Sequence, residues 1–183
     1  ASRPFAILLA AAFLCGGILP ANAATYYVSQ STGNDSWSGT SAEAKGETGP
    51  WKTLAKASKA YEPGDTILLK RGDTWDEELR PEGEGTPEKP ITIGAYGEGK
   101  KPVIDRQDFN KDFTGIRLSN QGGFKIVGIE FNRCMTGIYA DYAKGCPTKK
   151  YLWIEDCYFH DALLYQHYED SVSYTHLTLP TKA

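Results

Sequence analysis

The stretch FKIVGIEF, residues 124–131, decides the fold, because its pattern of apolar residues returns 28 positions later. The first copy places apolar side chains at Phe124, Ile126, Ile129 and Phe131, and the second at Leu152, Ile154, Cys157 and Phe159. Each copy is too short for a helix. It holds two alternating pairs whose parity breaks at Gly128 or Asp156, as two short strands joined at a bend require. A strand unit repeated at this spacing predicts a solenoid.

Apolar pairs elsewhere in the chain extend the repeat into two columns. The pairs of one column begin at Ile67, Ile91, Ile116 and Ile138, and the other column runs through Leu79, Val103, Phe124 and Leu152. Turn-forming Pro, Gly, Asn and Asp lie between them. A sandwich would space its strands at about 8–12 residues. Two columns with a period of about 24 residues instead predict an all-β parallel β-helix with at least two strands in each coil.

One helix is predicted, over residues 50–61, PWKTLAKASKAY. Pro50 suits the first helical position, and one apolar stripe is formed by Trp51, Leu54, Ala55 and Tyr61. The first coil of a solenoid exposes a hydrophobic end and a strand edge, so we expect this helix to cap it. The lysines of its polar face leave a membrane or partner site as an alternative.

Four segments are predicted along the 183 residues. Residues 1–23 contain an apolar run that ends in an A-x-A cleavage pattern, which predicts a signal peptide and a secreted or periplasmic protein. Residues 24–64 hold a first strand, a loop and the capping helix, and residues 65–170 an incomplete set of about four coils. Residues 171–183 are expected to be a non-native tail after a truncated fold, because residues 173–183 break the coil pattern and resemble translated sequencing-adapter bases. The alternative is a natural tail, disordered or strand-like.

The charge and the cysteines limit the partners and the chemistry. A formal net charge of −3 argues against nucleic acid and against a membrane partner after signal cleavage, since both need a clustered basic face. In an oxidising compartment Cys134 and Cys146 are a candidate disulfide pair, whereas Cys157 takes the template position of Ile129 and is expected to be a buried small hydrophobe. No zinc-type spacing occurs, so no metal ligands are predicted.

Asp156, His160 and Asp161 are the candidate catalytic residues. They lie within one predicted strand and its following turn, and they offer carboxylates beside a group that titrates near neutral pH. The alternative is structural, with Asp156 filling the bend that Gly128 fills in the first copy and His160 serving as a turn residue.

Four outward-pointing residues are the candidates for substrate binding. Arg117, Lys125 and Arg133 are basic groups that suit an anionic sugar chain, and the indole of Trp153 is suited to stacking on a sugar ring. Scattered surface charge remains the alternative account of the basic residues.

Eight short motifs in the first 105 residues carry a resemblance to a known family. They are YYVS at 26–29, GND at 33–35, PWKTL at 50–54, GDTILL at 64–69, RGDTW at 71–75, PITI at 90–93, AYG at 95–97 and KPVI at 101–104. These motifs are similar to the N-terminal part of secreted right-handed parallel β-helix proteins of the pectate-lyase-like superfamily. The resemblance implies a right-handed parallel β-helix with an N-terminal capping α-helix.

The same resemblance implies a carbohydrate-active protein. The first expectation is a polysaccharide lyase that cleaves an acidic, uronic acid polysaccharide by β-elimination, with Ca²⁺ as an implied cofactor of the full-length protein. Lyases of this fold carry their catalytic groups on central coils, so this fragment is expected to be inactive. The alternatives are a glycoside hydrolase or epimerase of the same fold, and a non-catalytic polysaccharide-binding or cell-surface β-helix protein.

Overall fold

The computed structural model describes residues 23–106, 114–141 and 151–162. In these ranges the chain is nearly all β, and all its sheets are parallel. The elements are β1 (Thr25–Val28), α1 (Leu54–Ala57), β2 (Thr66–Lys70), β3 (Thr74–Trp75), β4 (Ile91–Tyr96), β5 (Val103–Asp105), β6 (Thr114–Ser119), β7 (Phe124–Val127), β8 (Glu130–Asn132), β9 (Thr136–Asp141), β10 (Leu152–Glu155) and β11 (Tyr158–His160). Strands of successive coils stack in parallel, which confirms the prediction of an all-β solenoid.

Ladder 1 is a parallel sheet in the order β1-β2-β4-β7-β10. Along it Ile67 pairs with Ile93, Ile93 with Ile126, and Ile126 with Ile154. Alternate residues of each strand face inward, so like side chains stack on one another, and the first three of these isoleucines are fully buried. The other residues of the same strands form the outer face of ladder 1.

Ladder 2 contains β3, β5, β8 and β11. Its inward column passes through Trp75, Ile104, Phe131 and Phe159. The rings of the two phenylalanines stack with their centroids 4.8 Å apart and their planes within 7°. Stacked aromatic residues of successive coils bury large apolar areas, so this column is a major part of the core.

Ladder 3 pairs β6 with β9, and Leu79 extends it through a single bridge to Ile116. The two predicted columns are therefore wrong in detail, because Ile116 belongs to ladder 3 while Ile67 and Phe124 belong to ladder 1. The coils differ in length, with the steps along ladder 1 from Ile67 being 26, 33 and 28 residues. The predicted columns assumed a fixed period of about 24 residues, and they therefore assigned strands of different ladders to the same column.

The predicted twelve-residue capping helix is wrong, because only Leu54–Ala57 is helical. Before it, Trp51 bridges Val28 in parallel, and the backbone N–H of Trp51 donates to Tyr27 at 2.9 Å. After it, the N–H of Tyr61 donates to the carbonyl of Glu82 at 2.9 Å. Pairing with the coils thus takes the backbone hydrogen bonds that a longer helix would need.

The two copies of the opening template superimpose in register as predicted. Phe124 pairs with Leu152 in ladder 1, and Phe131 pairs with Phe159 in ladder 2. The bend between the two strands has a positive φ in both copies, +72° at Gly128 and +49° at Asp156. A left-handed backbone conformation favours glycine and is tolerated by aspartate, which explains why these two residues occupy the bend.

Several predictions fall partly or wholly outside the described residues. The signal peptide at 1–23, except Ala23, the tail at 171–183 and Cys146 are among them. Cys134 is a buried thiol whose pKa burial raises to about 12, and Cys157 is a thiol that packs against the core. The helix in the described part of the chain is too short to cross a membrane.

Candidate functional site

A cleft of about 260 Å³ lies on the outer face of ladder 1. It is lined by Pro87, Pro90, Lys125, Trp153 and Glu155. Lys125 and Trp153 are partners in the register between β7 and β10, so the stacking of two coils brings them side by side. Both were predicted to bind substrate, and the structure places both in one cleft.

Polar and aromatic groups line this cleft together. The ammonium of Lys125 lies 2.9 Å from a carboxylate oxygen of Glu155, and both side chains are about a third or more exposed, at 35% and 53%. Tyr151, which precedes β10, stacks on Trp153 with ring centroids 5.6 Å apart and planes within 14°. The cleft thus combines an aromatic surface with a hydrogen-bond donor and an acceptor.

The opposite wall of the cleft comes from the loop that precedes β4. The loop is fastened to the next coil, because the N–H of Gly85 donates to Gly122 at 3.0 Å and that of Ile91 donates to Gly123 at 2.9 Å. A tight turn closes it, in which Thr86 and Lys89 exchange hydrogen bonds. These contacts hold the two prolines of the wall in place.

His160 lies on the outer face of ladder 2 between two carboxylates. Its Nε2 is 2.9 Å from Glu130 and its Nδ1 is 2.8 Å from Asp161, while its ring stacks on Tyr158. Partial burial alone would lower the pKa of His160, but the hydrogen bonds and charges of the two carboxylates outweigh it and raise the pKa above the ordinary value. His160 and Asp161, two of the predicted catalytic residues, are therefore direct neighbours.

Asp156, the third predicted catalytic residue, contacts a different partner. Its carboxylate is 2.5 Å from the ammonium of Lys101, which lies on an earlier coil. Its backbone occupies the bend, as the structural alternative expected. The geometry gives Asp156 no contact with His160, so the predicted trio does not form one cluster.

Arg133, at the corner after β8, forms an ion pair with Asp105. Its guanidinium donates twice to Asp105, from Nε at 2.7 Å and from Nη2 at 2.5 Å, and the Asp105 side chain is only 9% exposed. These hydrogen bonds raise the pKa of Arg133 further. The guanidinium is therefore already occupied by protein, which disfavours a role in binding an anionic sugar.

Arg117 lies on the outer face of ladder 3, away from the other candidates. Its guanidinium is 2.5 Å from Glu78, donates to Thr114 at 2.9 Å, and lies 4.9 Å from the ring centre of Tyr139. The four predicted substrate-binding residues thus divide among three ladders, and only Lys125 and Trp153 share a cleft.

Three partners were missed at the sequence level. Glu130, Asp105 and Glu155 were not among the predicted site residues. The 28-residue register was the available signal for two of them, since it places Trp153 beside Lys125 and Tyr158 beside Glu130, and Glu155 and His160 follow two residues later on the same face. Asp105 pairs with Asn132, a step of 27 residues, so the register gave no signal for its contact with Arg133. Nothing in the sequence indicated that Pro87 and Pro90 would form a wall of the cleft.

A Ca²⁺ site was an expectation for the full-length protein. Within the described ranges, no group of three or more His, Cys, Asp or Glu side chains is placed to hold a metal ion.

Comparisons of the sequence and of the structure with known proteins find the same kind of enzyme. No family model matches the chain. A lacto-N-biosidase of Bifidobacterium longum subsp. longum is 39% identical over 87 residues, which are 44% of this chain and 5% of that protein. The crystal structure of a GH136 lacto-N-biosidase from Eubacterium ramulus is similar at 25% identity, with a TM-score of 0.57 for its selenomethionine derivative and 0.56 for the native protein.

The matched regions cover this chain much better than they cover its relatives. The two structural matches include 76% and 75% of this chain but 27% of each solved chain. The chain therefore spans about a quarter of the solved structures that it matches and a small part of the curated relative.

These similarities overturn the predicted pectate-lyase-like identity and the polysaccharide lyase activity. Both kinds of comparison lead to lacto-N-biosidases, which are glycoside hydrolases, and so favour the hydrolase alternative. The motifs behind the lyase resemblance lie in strands, loops, turns and the short helix of the scaffold. Such residues build a solenoid whatever chemistry it carries, so they do not distinguish lyase from hydrolase.

Proposed function

We propose that the protein is a glycoside hydrolase of the lacto-N-biosidase type, acting on an oligosaccharide that contains a lacto-N-biose unit. The observation that carries this proposal is the structural match to a GH136 lacto-N-biosidase over 76% of the chain. The 39% identity to a second lacto-N-biosidase supports it independently.

The finer features of the fold belong to the same proposal. We take the three parallel ladders to form a right-handed parallel β-helix, because connections between parallel strands of one sheet are right-handed in nearly all proteins. The apolar run and A-x-A pattern of residues 1–23 support export to the periplasm or the medium, where an extracellular oligosaccharide is accessible.

Glycoside hydrolysis needs two carboxyl groups with different protonation states. One protonates the departing glycosidic oxygen, while the other is ionised and either attacks the anomeric carbon or activates the water that attacks it. A catalytic acid needs a raised pKa, whereas a neighbouring cation favours the ionised form. Asp105, Asp156 and Glu155 each contact a basic side chain. Each of these carboxylates is therefore held by a protein cation, whereas a catalytic acid must be free to reach the glycosidic oxygen.

Glu130 and Asp161 are a carboxylate pair, but His160 lies between them. Both bind the same imidazole, one at each nitrogen, so the imidazole fills the space that a glycosidic bond would need. We therefore assign the described coils to scaffolding and sugar binding rather than to proton transfer.

The test is the release of p-nitrophenol from the p-nitrophenyl glycoside of lacto-N-biose. The assay should compare the complete protein, encoded by the full natural reading frame, with the present chain alone. We expect release by the complete protein and no ultraviolet absorbance from unsaturated uronates when pectate is offered. Complete protein that is folded, as judged by circular dichroism, yet releases no p-nitrophenol would overturn the proposal.

A further inference from the structure

We propose that the cleft on the outer face of ladder 1 is a binding subsite for one neutral pyranose ring of an oligosaccharide. The inference extends the proposed hydrolase function and rests on it for the class of ligand. The residues that carry it are Trp153 as the stacking surface, with Tyr151 packed against its ring, and Lys125 with Glu155 as the polar groups.

The aromatic pair supplies the stacking surface that a sugar ring needs. A pyranose has an apolar face of C–H groups, and such a face packs favourably against an aromatic ring. Trp153 both lines the cleft and stacks on Tyr151, so its indole is braced on one side while facing the cleft. The backbone of Tyr151 is itself fixed, because its carbonyl accepts from the N–H of Gly123 at 2.6 Å.

The charge of the lining favours a neutral sugar over an acidic one. Lys125 and Glu155 form an ion pair at 2.9 Å, so their charges cancel. Sugar hydroxyl groups both donate and accept, and they match a carboxylate and an ammonium presented together. A uronate carboxylate would instead have to compete with Glu155 for the ammonium of Lys125, which disfavours an acidic sugar.

The wall formed by Pro87 and Pro90 is built before any ligand binds. Proline fixes its own φ, and the loop is fastened through Gly85 and Gly123 to the coil above. A rigid wall lowers the conformational entropy that is lost on binding. The volume of about 260 Å³ is below the usual range for drug-sized ligands, so we assign the cleft to about one ring.

The first experiment is an NMR titration of this chain with lacto-N-biose, comparing the parent with Trp153→Ala. The matched control is Tyr139→Ala, because Tyr139 is an exposed aromatic residue, 39% accessible, on ladder 3. We expect Trp153→Ala to weaken binding about fivefold to tenfold and Trp153→Phe to restore part of it. Tyr139→Ala should bind as the parent does.

A charge variant tests the preference for neutral sugars. Glu155→Gln leaves Lys125 without its acidic partner in the cleft, so affinity for galacturonic acid should rise relative to lacto-N-biose. Amide spectra of each variant must first match those of the folded parent. Equal binding by the parent and folded Trp153→Ala, or a parent that prefers galacturonic acid, would overturn the proposal.

The subsite and the hydrolase proposal fail separately. Hydrolysis by the complete protein with no effect of Trp153→Ala on lacto-N-biose binding would reject the subsite and keep the enzyme. Binding that depends on Trp153, in a complete protein without hydrolytic activity, would reject the enzyme and keep the subsite.

Discussion

Ladders 1 and 2 both carry charged residues on their outer faces, but they use them differently. On ladder 2, Asp105 binds Arg133 twice and His160 joins Glu130 to Asp161. On ladder 1, one half-exposed ion pair lies beside two aromatic rings and a cleft. The comparison teaches that charge on a solenoid face is a poor guide to binding. Charged groups whose hydrogen bonds are all made within the protein join neighbouring coils, whereas an open cleft beside aromatic rings can accept a ligand.

The largest expected effect comes from the fastening of the ladder 1 wall. A Cβ on Gly123 would lie 2.2 Å from the carbonyl oxygen of Gly85, and Gly123 also has φ +74°. Gly123→Ala should therefore lower the free energy of unfolding by about 3 kcal/mol, through backbone strain together with the displaced loop. Urea denaturation followed by circular dichroism measures this.

Gly97→Ala is the matched control for that variant. Gly97 has nearly the same φ, +76°, but no atom lies within 4 Å of its added Cβ. Gly97→Ala should lower the free energy of unfolding by about 1–2 kcal/mol, from backbone strain alone. Equal losses in the two variants would mean that the Gly85 contact does not fasten the wall. Lacto-N-biose binding should weaken only in Gly123→Ala.

A second pair of variants compares the charges of the two ladders directly. Glu155→Gln removes a half-exposed charge and should change the free energy of unfolding by less than about 1 kcal/mol. Asp105→Asn removes a carboxylate whose side chain is only 9% exposed and which accepts two hydrogen bonds from Arg133. It should therefore lower the free energy of unfolding several times more than Glu155→Gln does. Thermal denaturation of both variants side by side provides the measurement. Equal shifts would contradict the distinction between the ladders.

The smallest effect is a pH dependence on ladder 2. The folded-state pKa of His160 is raised, so the protonated imidazole stabilises the fold fully below the unfolded pKa of about 6.5. This contribution is lost as the pH rises through the higher folded pKa. The difference in unfolding free energy between the parent and His160→Gln should therefore decrease from pH 6 to pH 8. A difference that stays constant or grows over this range would show that the carboxylates do not favour the imidazolium.

Part of the fold and part of the site could be predicted from local pattern. Alternating apolar residues fix which side chains face inward, so the template at Phe124 and its copy at Leu152 gave the right strands, bends and register. The same register relates Lys125 to Trp153. Both were predicted as separate substrate-binding residues, and the stacking of coils makes them neighbours.

Other features were decided by contacts between distant segments. Trp51 reads as a helical residue, yet its backbone bridges β1, because pairing with a strand edge outweighs helix propensity. The cleft wall at Pro87 depends on a loop whose hydrogen bonds run to Gly122 and Gly123 in the next coil.

The sequence by itself determined a parallel solenoid, because a two-residue alternation that recurs along the chain is a local property of the sequence. The tertiary structure alone decided that the coils have three ladders of unequal step, and which charges are paired. Those outcomes depend on loop lengths and on side chains about one coil apart, which become neighbours only when successive coils stack.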